Sequence, residues 1–480
     1  MARAQLLLAS NRGPLAFALG DDGALSARRG GGGLVSGLTT VGGDDGEIVW
    51  VCAALSDADR EAARRAPAGR LDRAGHDTDG AALRMLDIDP QTFHRAYNAV
   101  ANSTLWFVHH LLYSTPLQPV FDATFRREWA SYEVYNRAFA EALAEDAAPG
   151  AKVLVQDYHL TLAPQFLRAL RPDLRIAHFS HTPWAPAEYF SMLPADVARQ
   201  VLAGVLGADH AGFHSPRWAD AFLDCCERVL DAQVDPTART VRFEGRTTEV
   251  AVHPLGVDAA ALRERAARPD VDARYAALRE EVGDRRVIVR VDRTELSKNI
   301  VRGLQAYREM LRTRPEWHGR VVHVAFAYPS RHDLPEYREY TADVQRVAKS
   351  IDDEFGSPDW RPVILNVNDD YPRSLAAYRI ADVLLVNPLR DGMNLVAKEG
   401  PLLSERGCAV VLSTEAGAAV EMGGDALMVN PYDVSGTAEA LHRALSMPGA
   451  ERGARMARLA AVGAACPPQV WLADQIAALG

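Results

Sequence analysis

Two cations stand where they can do chemistry. Arg293 and Lys298 lie five residues apart, just after the apolar run Val287-Ile288-Val289. At the mouth of a buried strand such a pair can neutralise a diphosphate and stabilise the charge that develops on it as a leaving group. A solvated surface ion pair is the competing reading. Further on, Val383-Leu384-Leu385-Val386 reads as a second buried strand, followed by Arg390-Asp391-Gly392-Met393-Asn394-Leu395-Val396-Ala397-Lys398-Glu399. A strand, a turn carrying Asp and Gly, and a helix opening with Met393-Asn394-Leu395-Val396 is an arrangement for holding a ligand. Helix N-termini carry unpaired N–H groups and partial positive charge, which suit a phosphate. Asp391 can accept hydrogen bonds from sugar hydroxyls. Glu399, expected two turns into the helix, can clamp a ribose diol. A capped helix after a buried strand accounts for the same residues.

The first half of the chain places similar groups after its own strands. Arg12, in Ser10-Asn11-Arg12-Gly13-Pro14, is positioned to meet an anion. In Arg28-Arg29-Gly30-Gly31-Gly32-Gly33-Leu34 the glycines let the backbone approach a phosphate closely, although an isolated glycine run more often marks a flexible loop. Asp157, in Gln156-Asp157-Tyr158-His159, can bind sugar hydroxyls or act as a base, and His181 can hydrogen-bond at a reacting centre. Arg331 follows a strand of the second half. Tyr97 and Trp106 bracket a segment without clear periodicity; such aromatics are usually core, and stacking of a sugar on Trp106 is the sharper alternative. Three D-x-D triplets, Asp57-Ala58-Asp59, Asp87-Ile88-Asp89 and Asp270-Val271-Asp272, have the form of a metal site, but none follows a strong buried strand. Chance explains them, and no metal or other cofactor is expected.

The elements that must position these residues alternate throughout. Apolar runs near Gln5–Ser10, Ile48–Ala53, Val153–Gln156, Ile176–Ser180, Ala211–His214 and Thr248–His253 read as strands in the first half. Those near Val287–Val291, Val321–Ala327, Val363–Asn366, Val383–Asn387, Ala409–Ser413 and Ala426–Val429 do so in the second. Amphipathic segments such as Arg126–Ala144 and Arg217–Leu230 separate them. This is the βαβ pattern of parallel sheets. With 480 residues the chain is too long for one core. It is expected to form two Rossmann-like, doubly wound α/β domains facing a central cleft. Their boundaries are 1–252 and 253–465, with a final helix in 466–480 packing back on the first. Ligands bind such sheets outside the carboxyl ends of the strands.

A net charge of −10 argues against nucleic acid or an anionic membrane as the main partner. The five cysteines are odd in number and form no C-x-x-C pair, so a disulfide framework is not expected. The N-terminal apolar stretch is too short for a signal segment, and no run is long enough to span a membrane. A cytoplasmic protein is expected, with homo-oligomerisation left open.

Taken together and in order, these motifs resemble the α,α-trehalose-phosphate synthase family, retaining glycosyltransferases of the two-Rossmann (GT-B) kind, in a divergent, actinobacterial-like form. The resemblance runs from Ser10-Asn11-Arg12 to Val429-Asn430-Pro431-Tyr432-Asp433. Its most specific pieces are Asp157-Tyr158-His159, Pro388 to Glu399 and the Tyr97…Trp106 pair. It implies glucosyl transfer from a nucleotide-activated glucose to glucose 6-phosphate, both small-molecule substrates. Arg293 and Lys298 then hold the donor diphosphate. Asp391, with backbone N–H groups of Gly392, Met393, Asn394, Leu395 and Val396, holds the donor glucose. Glu399 takes the ribose and Gly33 a donor phosphate. Arg12, Tyr97, Trp106 and Arg331 surround the acceptor phosphate, Asp157 its hydroxyls, and His181 lies beside the transferred sugar. The leaving phosphate assists acceptor deprotonation on one face, so neither a protein nucleophile nor a metal is required.

The departures concern the donor and the acceptor. The usual loop R-L-D-Y-S/T-K-G reads Arg293-Thr294-Glu295-Leu296-Ser297-Lys298-Asn299 here. Ala53 stands where a tryptophan is usual, Asn387 where threonine is common, and Asp369 where an aromatic residue is expected near the base. A carboxylate matches the N1–H and exocyclic amine of guanine, so Asp369 or Asp370 points to GDP-glucose over UDP-glucose. Two alternatives remain at this level. One is a related transferase or pseudo-glycosyltransferase with a changed acceptor, giving a glucosylglycerol-phosphate or cyclitol product. The other is a non-catalytic sugar-phosphate sensor.

Overall fold

The computed structural model describes residues 3–20, 23–29, 48–78, 81–331 and 333–480. The glycine run that includes Gly33 lies outside the described residues. The chain divides into two compact units, Met1–Pro254 with Pro468–Gly480, and Leu255–Pro467.

Unit 1 contains β1 (Ala4–Ser10), β2 (Leu15–Leu19), β3 (Leu25–Arg29), β4 (Ile48–Ala53), β5 (Ala82–Leu86), β6 (Ala147–Gln156), β7 (Arg175–Ser180), β8 (His210–Phe213), β9 (Gln233–Asp235), β10 (Thr240–Phe243) and β11 (Arg246–Val252). Nine of them form one sheet in the order β5-β4-β1-β6-β7-β8-β11-β10-β9. The pairs from β5 to β11 are parallel; β9 and β10 close the edge antiparallel. The sheet is built outward from β1 in both directions, so its switch point lies between β1 and β6. Arg12 follows the first of these strands and Asp157 the second.

Unit 2 contains β12 (Arg286–Arg293), β13 (Val321–Tyr328), β14 (Val363–Asn366), β15 (Val383–Val386), β16 (Ala409–Ser413) and β17 (Leu427–Val429). All pairs are parallel, in the order β14-β13-β12-β15-β16-β17. This is the doubly wound order, with its switch point between β12 and β15. Val287, Ile288, Val289, Val383, Leu384 and Leu385 are fully buried, as expected where helices cover both faces of a parallel sheet. Helices such as Ile300–Thr313 and Pro335–Phe355 supply the cover.

The chain's last helix, Pro468–Ala477, belongs to unit 1. Its Trp471 is buried, donates through Nε1 to the His253 carbonyl at 3.1 Å and meets Phe179 edge-on. The antiparallel hairpin of β2 and β3 and the short β5, β9 and β10 have no counterpart in the sequence-based expectation. β3, β5, β9 and β10 are interrupted by polar residues, whereas β2 is an apolar run, Leu15-Ala16-Phe17-Ala18-Leu19, missing from that expectation. No helix among the described residues is long and apolar enough to cross a membrane.

Candidate active site

In unit 2, β12 ends at Arg293 and a single tight turn, Leu296–Lys298, leads to the helix Ile300–Thr313. Lys298 points across the switch point, and its Nζ lies 2.5 Å from Asp391 Oδ2, beyond the end of β15. The two residues are 93 apart in sequence; the topology brings them together. Burial pulls the Lys298 ammonium down, but the carboxylates of Asp391, Asp292 and Glu295 outweigh it and the net shift is upward. Lys298 is therefore a held, charged ammonium. Arg293 is more than half exposed and pairs with Glu295 at 3.2 Å.

Glu295 is the organiser that sequence reasoning did not single out. It is fully buried and accepts a hydrogen bond from Ser330 Oγ at 2.9 Å. Burial would raise its pKa; Arg293, Arg331 and Lys298 overcome this and hold it at about 2. A buried carboxylate thus lies in the field of three cations and pairs directly with one of them, Arg293. Its only sequence signal is an acid two positions after Arg293. Arg331 takes a left-handed φ of +47° and donates from Nη1 to Tyr337 Oη at 2.6 Å.

The segment from Asp391 to Glu399 departs from expectation. The helix opens at Val396, not at Met393, and runs to Leu403. Asn394 has a φ of +79°, which breaks the helical path. Its side chain donates to Asp391 Oδ2 at 3.0 Å and accepts from the Ala397 N–H at 3.2 Å. Glu399 consequently lies in the first helical turn rather than two turns in. Burial raises its pKa, and Tyr378 donates to it at 3.2 Å. The Asp391 turn is braced by the loop after β16: its N–H donates to the Glu415 carbonyl at 3.2 Å, and the Gly417 N–H to its own carbonyl at 3.0 Å. A Cβ on Gly417 would lie 1.9 Å from the Gly392 carbonyl oxygen, so only glycine fits. A glycine just past a strand was the available signal.

Asp369 and Asp370 follow β14. Asp370 is committed: it caps the helix Tyr371–Ile380 by accepting from the Arg373 N–H at 3.0 Å and pairs with Arg274 at 3.0 Å. Asp369 is exposed.

In unit 1, Arg12 is exposed at the end of β1, with its carbonyl accepting from Ser10 Oγ at 2.8 Å. The neighbouring Asn11 accepts from Tyr135 Oη at 2.6 Å. At the end of β6, Asp157 has φ +76° and ψ 169°, a region essentially reserved for glycine. Its N–H donates to the Phe179 carbonyl at 2.7 Å, and its Oδ1 accepts from the His181 N–H at 3.2 Å. Both ring nitrogens of His181 have neighbours: Nδ1 lies 3.1 Å from His214 Nε2, and Nε2 lies 2.9 Å from Gln156 Oε1. Burial, reinforced by His178, pulls its pKa down to about 3, so the ring is neutral. Such a ring can position a sugar but is a poor base.

Tyr97 and Trp106 sit in an unusual element. Residues Arg95–Leu105 form a π-helix that passes into the α-helix Trp106–His110. Such windings are rare and recur at functional sites. Tyr97 stacks between Phe93 and His159, with ring centroids 5.2 and 5.6 Å away. Trp106 is nearly buried, stacked on His110 at 3.8 Å. Arg12, Tyr97, Trp106, Asp157 and His181 therefore belong to unit 1, and Arg293, Lys298, Arg331, Asp369, Asp391 and Glu399 to unit 2.

The family model for Glycosyltransferase family 20 matches residues 5–479. A bifunctional trehalose-6-phosphate synthase/phosphatase of Thermoproteus tenax is 36% identical over 373 residues, 77% of this chain and 49% of that protein. The chain thus spans about half the length of this relative. A trehalose-6-phosphate synthase of Mycobacterium avium is 37% identical over 391 residues, covering 79% of this chain and 77% of the relative. Among solved structures, a UDP-forming α,α-trehalose-phosphate synthase from Burkholderia xenovorans in complex with glucose-6-phosphate superposes with a TM-score of 0.85 at 26% identity, covering 99% of this chain and 100% of that one. The chain belongs to glycosyltransferase family 20.

Proposed function

We propose that the chain transfers glucose from a nucleoside-diphosphate glucose to glucose 6-phosphate, with retention, giving α,α-trehalose 6-phosphate. The observation that carries this reading is the Lys298–Asp391 pair at the switch point of unit 2, beside the first turn of the helix Val396–Leu403. A held ammonium next to a hydrogen-bond acceptor suits a diphosphate joined to a sugar. Lys298 and Arg293 neutralise charge as the diphosphate leaves, so the reaction needs no metal. Asp391 holds donor hydroxyls, with backbone N–H groups from Gly392 to Val396 assisting, and Glu399 takes the ribose. Gly33 is assigned to a donor phosphate. Arg12, Tyr97, Trp106 and Arg331 are assigned to the acceptor phosphate. Asp157 holds acceptor hydroxyls, and the neutral His181 positions the transferred sugar. For the base, the proposal is GDP-glucose over UDP-glucose, and it rests on Asp369 alone, because Asp370 is used by its helix. The reaction is assigned to the cytoplasm, where its substrates are metabolites.

The test is nucleoside-diphosphate release from UDP-, GDP- and ADP-glucose with glucose 6-phosphate, with the product identified. Trehalose 6-phosphate with GDP-glucose preferred is expected. A different sugar product would mean a changed acceptor. Nucleotide binding without turnover would mean a sensor. Equal kinetics for Asp369→Ala with both donors would remove the guanine assignment alone.

A further inference from the structure

We infer that Asn299 is a positioning residue that staples together the loops carrying Lys298 and Asp391; the functional part of this inference rests on the donor site proposed above. Asn299 follows Lys298 directly and ends the turn with a left-handed φ of +59°. Asparagine is one of the few side-chain-bearing residues that adopts this conformation readily. Its side chain is buried, and every polar atom on it is used. Nδ2 donates to the carbonyl of Asn387 at 3.0 Å and to the carbonyl of Pro431 at 2.8 Å. Oδ1 accepts from Arg302 Nη1 at 3.1 Å, and the Arg302 guanidinium lies over the Tyr432 ring at 5.4 Å.

These partners lie on three separate stretches of chain. Asn387 leaves β15 and leads into the Asp391 turn. Pro431 and Tyr432 follow β17. Arg302 opens the helix after Lys298. The same seam is closed by the Leu389 N–H, which donates to the Ser297 carbonyl at 2.7 Å. Asn387 reciprocates at the edge of hydrogen-bond reach, its Nδ2 lying 3.5 Å from the Asn299 carbonyl. A residue touching the ends of both loops fixes the distance between Lys298 and Asp391 without contacting a ligand itself. A glycine here would allow the same backbone turn and supply none of the three side-chain bonds.

Asn299→Gly tests this, because it keeps the left-handed backbone and removes only the staple. Three side-chain hydrogen bonds are lost, two of which, to the Asn387 and Pro431 carbonyls, join separate loops; loss of those two should raise the KM for the nucleotide-sugar about five- to thirtyfold, with the KM for glucose 6-phosphate unchanged within about twofold. Asn299→Asp, which turns an acceptor toward two carbonyls, should be at least as impaired. Hydrogen exchange in the ligand-free protein gives a readout independent of any activity: exchange at the Leu389 N–H should speed up in Asn299→Gly. An unchanged donor KM together with unchanged exchange would overturn the staple. Faster exchange in a protein that turns over no donor would uphold the staple and reject the assigned reaction. Should Asn299→Gly fail to fold, Arg302→Ala, which frees Oδ1 and removes the guanidinium from the Tyr432 ring, should still raise the donor KM about two- to fivefold; no rise there would equally overturn the inference.

Discussion

Asp157 offers the sharpest separation of function from stability, through Asp157→Gly and Asp157→Ala compared side by side. Its φ of +76° with ψ 169° lies where a Cβ is strained, a cost of about 1–3 kcal/mol. Glycine removes that strain but adds about 0.5–1 kcal/mol of unfolded-chain entropy. Both variants lose the carboxylate that accepts the His181 N–H at 3.2 Å, so that loss cancels between them. The glycine variant should therefore be the more stable by about 0.5–2 kcal/mol. For a unit of this size that is roughly 1–4 °C in the calorimetric transition. In turnover the two should match, because the missing group is the same. Losing a charged acceptor for a sugar hydroxyl should lower kcat/KM for glucose 6-phosphate by about 10- to 150-fold in each. An alanine variant as stable as the glycine variant would refute the strain. A glycine variant that keeps wild-type turnover would refute the role of the carboxylate.

Glu295 and Gly417 yield further expectations. Glu295 is held at about 2, below its ordinary range, so its stabilising contribution is complete above about pH 4.3 and is lost as the pH falls toward 2. Glu295→Gln should therefore flatten the acid limb of unit 2 stability in that window and lower stability at pH 7, as read by denaturation at a series of pH values; parallel curves for the two proteins would count against the assignment. Gly417→Ala places a methyl group against the Gly392 carbonyl, which should cost about 1–3 kcal/mol and raise the donor KM by displacing the Asp391 turn. Unaltered melting and donor kinetics would show that the turn yields without consequence.

What could be read from the sequence follows from burial. Strands such as Val287–Val289 and Val383–Val386 are covered on both faces, so they are written as unbroken apolar runs. Strands β3, β9 and β10 are short or half solvated and carry no such run. The π-helix was illegible for another reason. Its extra residue per turn, seen where Thr104 Oγ1 reaches the carbonyl of Ala99 and the Trp106 N–H that of Ala101, scrambles the helical period. The Glu399 helix was misplaced because Asn394 looks like an ordinary helical opening and is in fact left-handed.

The same division explains the site. Parallel topology gathers every strand's carboxyl end at one edge, so residues following apolar runs are natural candidates and the order of strands decides which of them meet. That is why Lys298 and Asp391 become neighbours across 93 positions. Partner choice is another matter. Glu295 with Ser330, Tyr378 with Glu399 and His214 with His181 join elements with no common pattern in the chain. Asn299 makes the point most directly. Read along the chain it is a departure from the glycine usual at the end of this loop in the family it resembles. In the fold it retains the conformation that glycine would supply and adds bonds to three stretches of backbone and side chain. A substitution that looks like loss in one dimension is therefore a reinforcement in three, and only the positions of Asn387, Pro431 and Arg302 reveal it.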